Sequence, residues 1–183
     1  CVLIIFAIFM TGCASFTKHG RLTSSATDAY ESRNYDAAVT YAAQALRIKP
    51  RYEDAQKVLV NSFPISIRNR EGRIAELASS KDLDSVERRV KEFKTIINIS
   101  NTVRDLPPLV DKKTKKPITF SFNNYSKSFL EAKNIAAEAF YKHGHKIGNI
   151  GGVDNSKSAA KAFKKSQFFI PSYKDTVVLQ GNR

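Results

Sequence analysis

The segments Tyr35–Asp54, YDAAVTYAAQALRIKPRYED, and Ser156–Asp175, SKSAAKAFKKSQFFIPSYKD, align over their full length without a gap. Ala38, Ala42 and Ala45 in the first copy, and Ala159, Phe163 and Ser166 in the second, fall at i, i+4 and i+7. That spacing puts each trio on one face of a helix. Five residues beyond each trio stands a proline, Pro50 or Pro171, whose ring and missing N–H stop the helix. A partner helix precedes each copy: Ala26–Asn34, ATDAYESRN, reads as a helix and its turn, and Ala136–Gly144, AAEAFYKHG, reads as another. Small residues at Ala26, Ala29, Ala136 and Ala139 let the paired helices approach closely. In the second copy an insertion, His145 to Asn155, separates the two helices.

These residues resemble the tetratricopeptide repeat (TPR), whose second helix carries small and aromatic residues at this spacing ahead of a terminal proline. The resemblance implies an all-α fold: a short right-handed solenoid of TPR-like helical hairpins with an irregular linker, whose stacked hairpins form an extended concave surface. Three positions depart from the pattern. Arg33 stands for the usual turn glycine, Ala42 for an aromatic and Ser166 for an alanine.

Between the copies the rhythm weakens. Asp54 to Phe63 reads as a short helix on Ala55, Val58 and Leu59, interrupted by Pro64, and Ile65 to Ser79 reads as another on Ile67, Ile74 and Leu77. Asp84, with Glu87 three residues on, is close to a capping box ahead of a helix striped by Val86, Val90, Phe93 and Ile97. This middle pair is expected as a degenerate hairpin packed between the better copies. Pro107-Pro108 then stops the helix, and Ile118, Phe120 and Phe122 alternate with polar residues as in a strand. One short strand has no sheet to join, so an extended segment is expected, its aromatics in a helical groove or on a partner. The expected divisions are 1–12 leader, 13–21 tether, 22–105 first copy with the degenerate hairpin, 106–128 irregular linker and 129–183 second copy.

The chain opens CVLIIFAIFMTGC, an apolar run too short for a membrane span, which needs roughly 20 residues. Its length and the small residues that follow suit a secretory signal peptide, although the basic region that should precede it is missing, which reads as loss of the first residues. Met10-Thr11-Gly12-Cys13 resembles the lipobox of bacterial lipoproteins. The resemblance implies cleavage before Cys13 and acylation of that residue, and two acyl chains would hold a protein stably on a membrane. Cys1 would leave with the leader, so the mature chain would keep no free thiol and no disulfide. Ala14 and Ser15, rather than an acid, imply the outer membrane of a Gram-negative envelope. Over nearly its whole length the chain is similar to a group of Bacteroidetes-type envelope lipoproteins, a likeness that implies no activity. Longer members of that group continue past Arg183, so a chain truncated at both ends is expected.

Thirty Lys and Arg against 17 Asp and Glu give a formal charge of +13. For an exported lipoprotein this points away from nucleic acid and toward anionic headgroups, cell wall or an acidic protein surface. Two basic features carry it. Lys157, Lys161, Lys164 and Lys165 make a stripe on one helix face, while Lys112, Lys113, Lys115 and Lys116 crowd a loop. No catalytic constellation is legible. His143-Gly144-His145 lacks further ligands at metal-binding spacing, and Gly148, Gly151 and Gly152 lack the lysine and hydroxyl of a phosphate loop. The expectation is a lipid-anchored, non-enzymatic scaffold without cofactor or metal, holding an envelope protein or peptide. The alternative is a cell-wall or solute-binding lipoprotein in which Phe120, Phe122, Tyr125 and Phe140 line a pocket.

Overall fold

The Thr17 hydroxyl sets where the first helix starts: its Oγ1 accepts the Gly20 N–H at 3.1 Å, and helix α1 runs Lys18–Glu31. The computed structural model describes residues 17–176 and is all-helical apart from one minimal ribbon. After α1 come α2 (Tyr35–Ile48), α3 (Glu53–Ala78), α4 (Leu83–Arg104), the strands β1 (Leu109–Val110) and β2 (Pro117–Ile118), then α5 (Ser126–Gly148) and α6 (Val153–Phe169). Cys13 and the segment that resembles a lipobox lie outside the described residues. Among those described, no helix is long and apolar enough to cross a membrane. Two compact units result, one from residues 17–69 with 96–122 and the other from 70–95 with 123–176, so α3 and α4 each give one end to each unit.

In the first unit α1 and α2 pack as a hairpin. The turn that joins them closes with two bonds, Arg33 N–H to Tyr30 C=O at 3.0 Å and Asn34 N–H to Ala29 C=O at 2.8 Å, with Arg33 at φ +58°. Those bonds and that left-handed residue are the helix ending that glycine fits without steric penalty. Arg33→Gly is therefore expected to stabilise the chain by about 1 kcal/mol. A urea midpoint that rises at unchanged slope would show it, and a lower midpoint would contradict it. Ala38, Ala42 and Ala45 on α2 are fully buried, as the stripe requires. Val39 and Leu46 join them, with Ala55, Leu59 and Phe63 from α3, and Ile99 and Val103 from α4.

The linker completes this core. β1 and β2 pair antiparallel, Leu109 opposite Ile118 and Val110 opposite Pro117, so the expected lone strand has a two-residue partner. Beyond β2, the Phe120 and Phe122 rings lie 5.4 and 5.6 Å from that of Phe63, in a helical groove. Buried Gln56 ties the ribbon down, its Nε2 donating to the Pro50 carbonyl at 2.7 Å and the Val110 carbonyl at 3.2 Å.

In the second unit α5 and α6 form the matching hairpin. Ala159, Phe163 and Ser166 are fully buried, and Ser166 Oγ donates to the Ala137 carbonyl on α5 at 2.8 Å. Gly144 supplies the close approach: a Cβ there would come within 2.6 Å of the Phe163 ring.

Five expectations need correction. Pro64 does not interrupt α3, because Pro64 and Val60, whose carbonyl loses its intrahelical partner, both lie on the exposed side where water can serve. The cap of α4 is Asp82, not Asp84: Asp82 Oδ1 accepts the Ser85 N–H at 2.9 Å, while Asp84 pairs with Arg88 and Glu87 with Lys165. The Asp82 carboxyl is held well below its usual range by the Ser80 hydroxyl and Ser85 N–H. Residues 18–21 of the expected tether are helical, since α1 starts at Lys18. The insertion 145–155 is mostly helix, α5 running to Gly148 before a turn whose Gly151 and Gly152 take φ +78° and +87°. The linker ends sooner than 128, at Ser126, where α5 begins.

Candidate binding clefts

Two clefts hold polar groups over an ordered floor, one in each unit. In the second unit a cleft of about 550 Å³ is floored by Val86 of α4 and by Ala132, Ile135 and Ala139 of α5. Ile135 is 39% exposed, an apolar side chain off the buried stripe of its own helix. Lys81, Arg89 and Lys142 supply positive charge around it. Arg89 meets no carboxylate: its Nε is buried without an acceptor, and its guanidinium sits 5.8 Å from the Phe93 ring. A guanidinium has five donors and no acceptor, so burial of the Nε–H without a partner leaves the desolvation of that donor uncompensated.

Glu138, the acid of this cleft, is already committed. Lys174 Nζ at 2.5 Å and Tyr173 Oη at 2.8 Å donate to its Oε2, and Lys142 lies 3.4 Å from Oε1. Those donors bring its carboxyl from 4.5 down to about 2, while burial and then the same bond push the Tyr173 hydroxyl up to about 12. A depressed carboxyl stabilises the fold above its unfolded value and loses that contribution as pH falls toward the folded one. The segment that carries Tyr173 and Lys174 is therefore expected to loosen as pH drops from 4.5 toward 2. The Tyr173 ring resonances should titrate through that window in the native chain and stay level in Glu138→Gln; a level native profile would contradict the assignment.

In the first unit a cleft of about 750 Å³ opens between the α2–α3 junction and the ribbon. Lys49, Arg51, Tyr52, Glu53 and Asp54 line it from the junction, and Val110, Asp111, Lys112 and Lys115 from the ribbon. Gln56, bonded to both Pro50 and Val110, fixes the two walls against each other. The turn itself is shaped by Asp111, whose Oδ1 accepts from Thr114 N at 2.6 Å, Thr114 Oγ1 at 2.9 Å and Lys113 N at 3.0 Å. These bonds hold the Asp111 carboxyl below its usual range.

The basic residues expected from the sequence separate here. Lys112 and Lys115 face this cleft, whereas Lys113 reaches Glu53 at 4.0 Å and Lys116 is exposed outside it. On α6, Lys157, Lys161 and Lys164 are exposed, but Lys165 leaves the stripe to pair with Glu87 at 2.5 Å and lie 5.9 Å from the Phe140 and Phe168 rings. No motif or period singles out Lys49, Arg51, Lys81 or Arg89. Lys49 and Arg51 merely flank a helix-ending proline, and Arg89 follows Arg88 in an ordinary charged turn.

The four rings proposed for a pocket are committed elsewhere. Phe120 and Phe122 pack on Phe63, Tyr125 lies 6.5 Å from Phe93, and Phe140 lies 5.7 Å from Phe169. His145 packs 4.5 Å from Tyr141 and 5.2 Å from Phe163. Among the described residues no group of three or more His, Cys, Asp or Glu is placed to hold a metal ion. Comparison with protein-family models, with curated proteins and with solved structures finds no match.

Proposed function

We propose that this chain is a non-catalytic adaptor of the bacterial cell envelope, anchored through acylated Cys13 in the outer membrane, which holds a protein or peptide partner on a TPR-like helical surface. The observation that carries the reading is the cleft of the second unit. Its apolar floor includes half-exposed Ile135, and beside it stands Arg89, a half-buried cation whose Nε is buried without an acceptor. Binding surfaces use this combination, with apolar area for affinity and a partly desolvated cation for orientation. Closely packed hairpins such as α1–α2 and α5–α6 suit the task because they are rigid and present side chains rather than backbone.

A second reading, a cell-wall or solute-binding lipoprotein with an aromatic pocket, draws less support, because its four rings are used in packing. Affinity capture from detergent-solubilised envelopes tests the adaptor. The native chain should retain a defined partner that Ile135→Asp loses, while Cys13→Ala should leave the membrane fraction. Equal capture by Ile135→Asp, or unchanged membrane association of Cys13→Ala, would count against it.

A further inference from the structure

We propose that the cleft of the first unit binds phosphate-bearing anions, presented by the headgroups of anionic phospholipid. Its cations come from two segments distant in sequence, Lys49 and Arg51 at the end of α2, and Lys112 and Lys115 in the turn between β1 and β2. Among the described residues none of these four side chains makes an ion pair at contact distance, and Lys49 Nζ lies 5.2 Å from the Tyr52 ring.

Three carboxylates share the cleft, and their contact partners come from outside that set of four, with Lys112 acting on Glu53 only through space. Lys57 pairs with Glu53 at 3.0 Å and with Asp54 at 3.7 Å, Lys113 adds to Glu53, and Asp111 is spent on its own turn. Four positive side chains are thus gathered with no carboxylate in direct contact, a concentration of like charge that an anion with several acceptor oxygens relieves. A phosphate offers such oxygens, whereas one carboxylate could satisfy only part of the set.

The turn is also built at a cost. Lys115 occupies φ +60°, a conformation that favours glycine, yet carries a long cationic side chain into the cleft. Backbone strain of this kind is held where surrounding bonds over-determine it, here Lys115 N–H to Asp111 C=O at 3.0 Å and Asp111 N–H to Lys116 C=O at 2.9 Å. The lysines of α6 provide the contrast, since Lys157, Lys161 and Lys164 stand on an open helix face that converges on nothing. The choice of headgroups as the source rests on the lipid anchor proposed above; the preference for phosphate does not.

The test is lysine acetylation footprinting, read by mass spectrometry, of the full acylated chain reconstituted in phosphatidylcholine vesicles with and without phosphatidylglycerol. Phosphatidylglycerol is expected to slow modification of Lys49, Lys112 and Lys115 by about fivefold, the occupancy change that a contact with an anionic surface brings to one lysine. Lys157, Lys161 and Lys164 should change far less, and added salt should erase the difference. In Lys112→Glu/Lys115→Glu, with its helical content checked by circular dichroism, protection of Lys49 should vanish. Uniform protection of all six lysines would overturn the site and leave only net charge. Protection by glycerol 3-phosphate in neutral detergent, without protection on phosphatidylglycerol vesicles, would overturn headgroups as the source. A chain that fails to float with the phosphatidylcholine vesicles would instead expose a failure of the anchor, and the footprint on glycerol 3-phosphate would still read the site.

Discussion

Phe163→Ala is expected to destabilise the second unit by about 3–5 kcal/mol, the largest effect of any single substitution there. Phe163 is the bulkiest of the fully buried side chains. Its ring lies 5.2 Å from that of His145 and 6.1 Å from that of Tyr141, and it fills the space that Gly144 leaves open on α5. On one side the ring faces Gly144, which has no side chain to move into the space that alanine would leave. The same contact reverses the usual sign at Gly144. A glycine inside a helix ordinarily gains about 1 kcal/mol on becoming alanine. Here the new Cβ would meet the ring at 2.6 Å, so Gly144→Ala is expected to lose about 1–3 kcal/mol. Because the ring alone causes that clash, the double variant should be less destabilised than the sum of the singles. Urea unfolding of the four proteins checks this, and strict additivity would show that the two positions do not share a contact.

Phe63→Ala should cost a similar amount, about 3–5 kcal/mol, in the first unit. Phe63 is 4% exposed and joins two kinds of structure: the helical core that includes Ala42 and Leu59, and the extended segment that carries Phe120 and Phe122. Its loss removes the ring on which both aromatics pack. Arg104, whose guanidinium lies 4.8 Å from the Phe122 ring, would hold that segment only weakly. A lower urea midpoint should therefore be accompanied by faster tryptic cleavage after Lys112, Lys113 and Lys115. Destabilisation without faster cleavage there would mean that Gln56 and the ribbon bonds hold the segment unaided.

The helices were legible where one local signal decided them. The trio on α2 and the trio on α6 became buried faces because a 3.6-residue period specifies a face whatever lies opposite, and Pro50 and Pro171 stopped their helices as their chemistry requires. The reading failed where the outcome depended on surroundings. Pro64 breaks nothing because it falls on an exposed side, and Asp82 rather than Asp84 caps α4 because the Ser80 hydroxyl and Ser85 N–H donate to its carboxylate. For the clefts, composition marked Lys112 and Lys115 as basic but not as convergent with Lys49 and Arg51. That convergence depends on Gln56 bridging two carbonyls, a long-range bond with no periodic signature. Arg89 was equally silent, since what distinguishes it from Arg88 is burial beside Phe93.

Site-directed photocrosslinking in intact cells tests the adaptor claim most directly, with benzoylphenylalanine at Ile135 in the cleft and, as a control, at Lys161 on the open face of α6. The adaptor account predicts a discrete protein adduct from position 135 that disappears when Arg89→Glu is added, and none from position 161. No adduct at 135, or the same adducts from both positions, would contradict it.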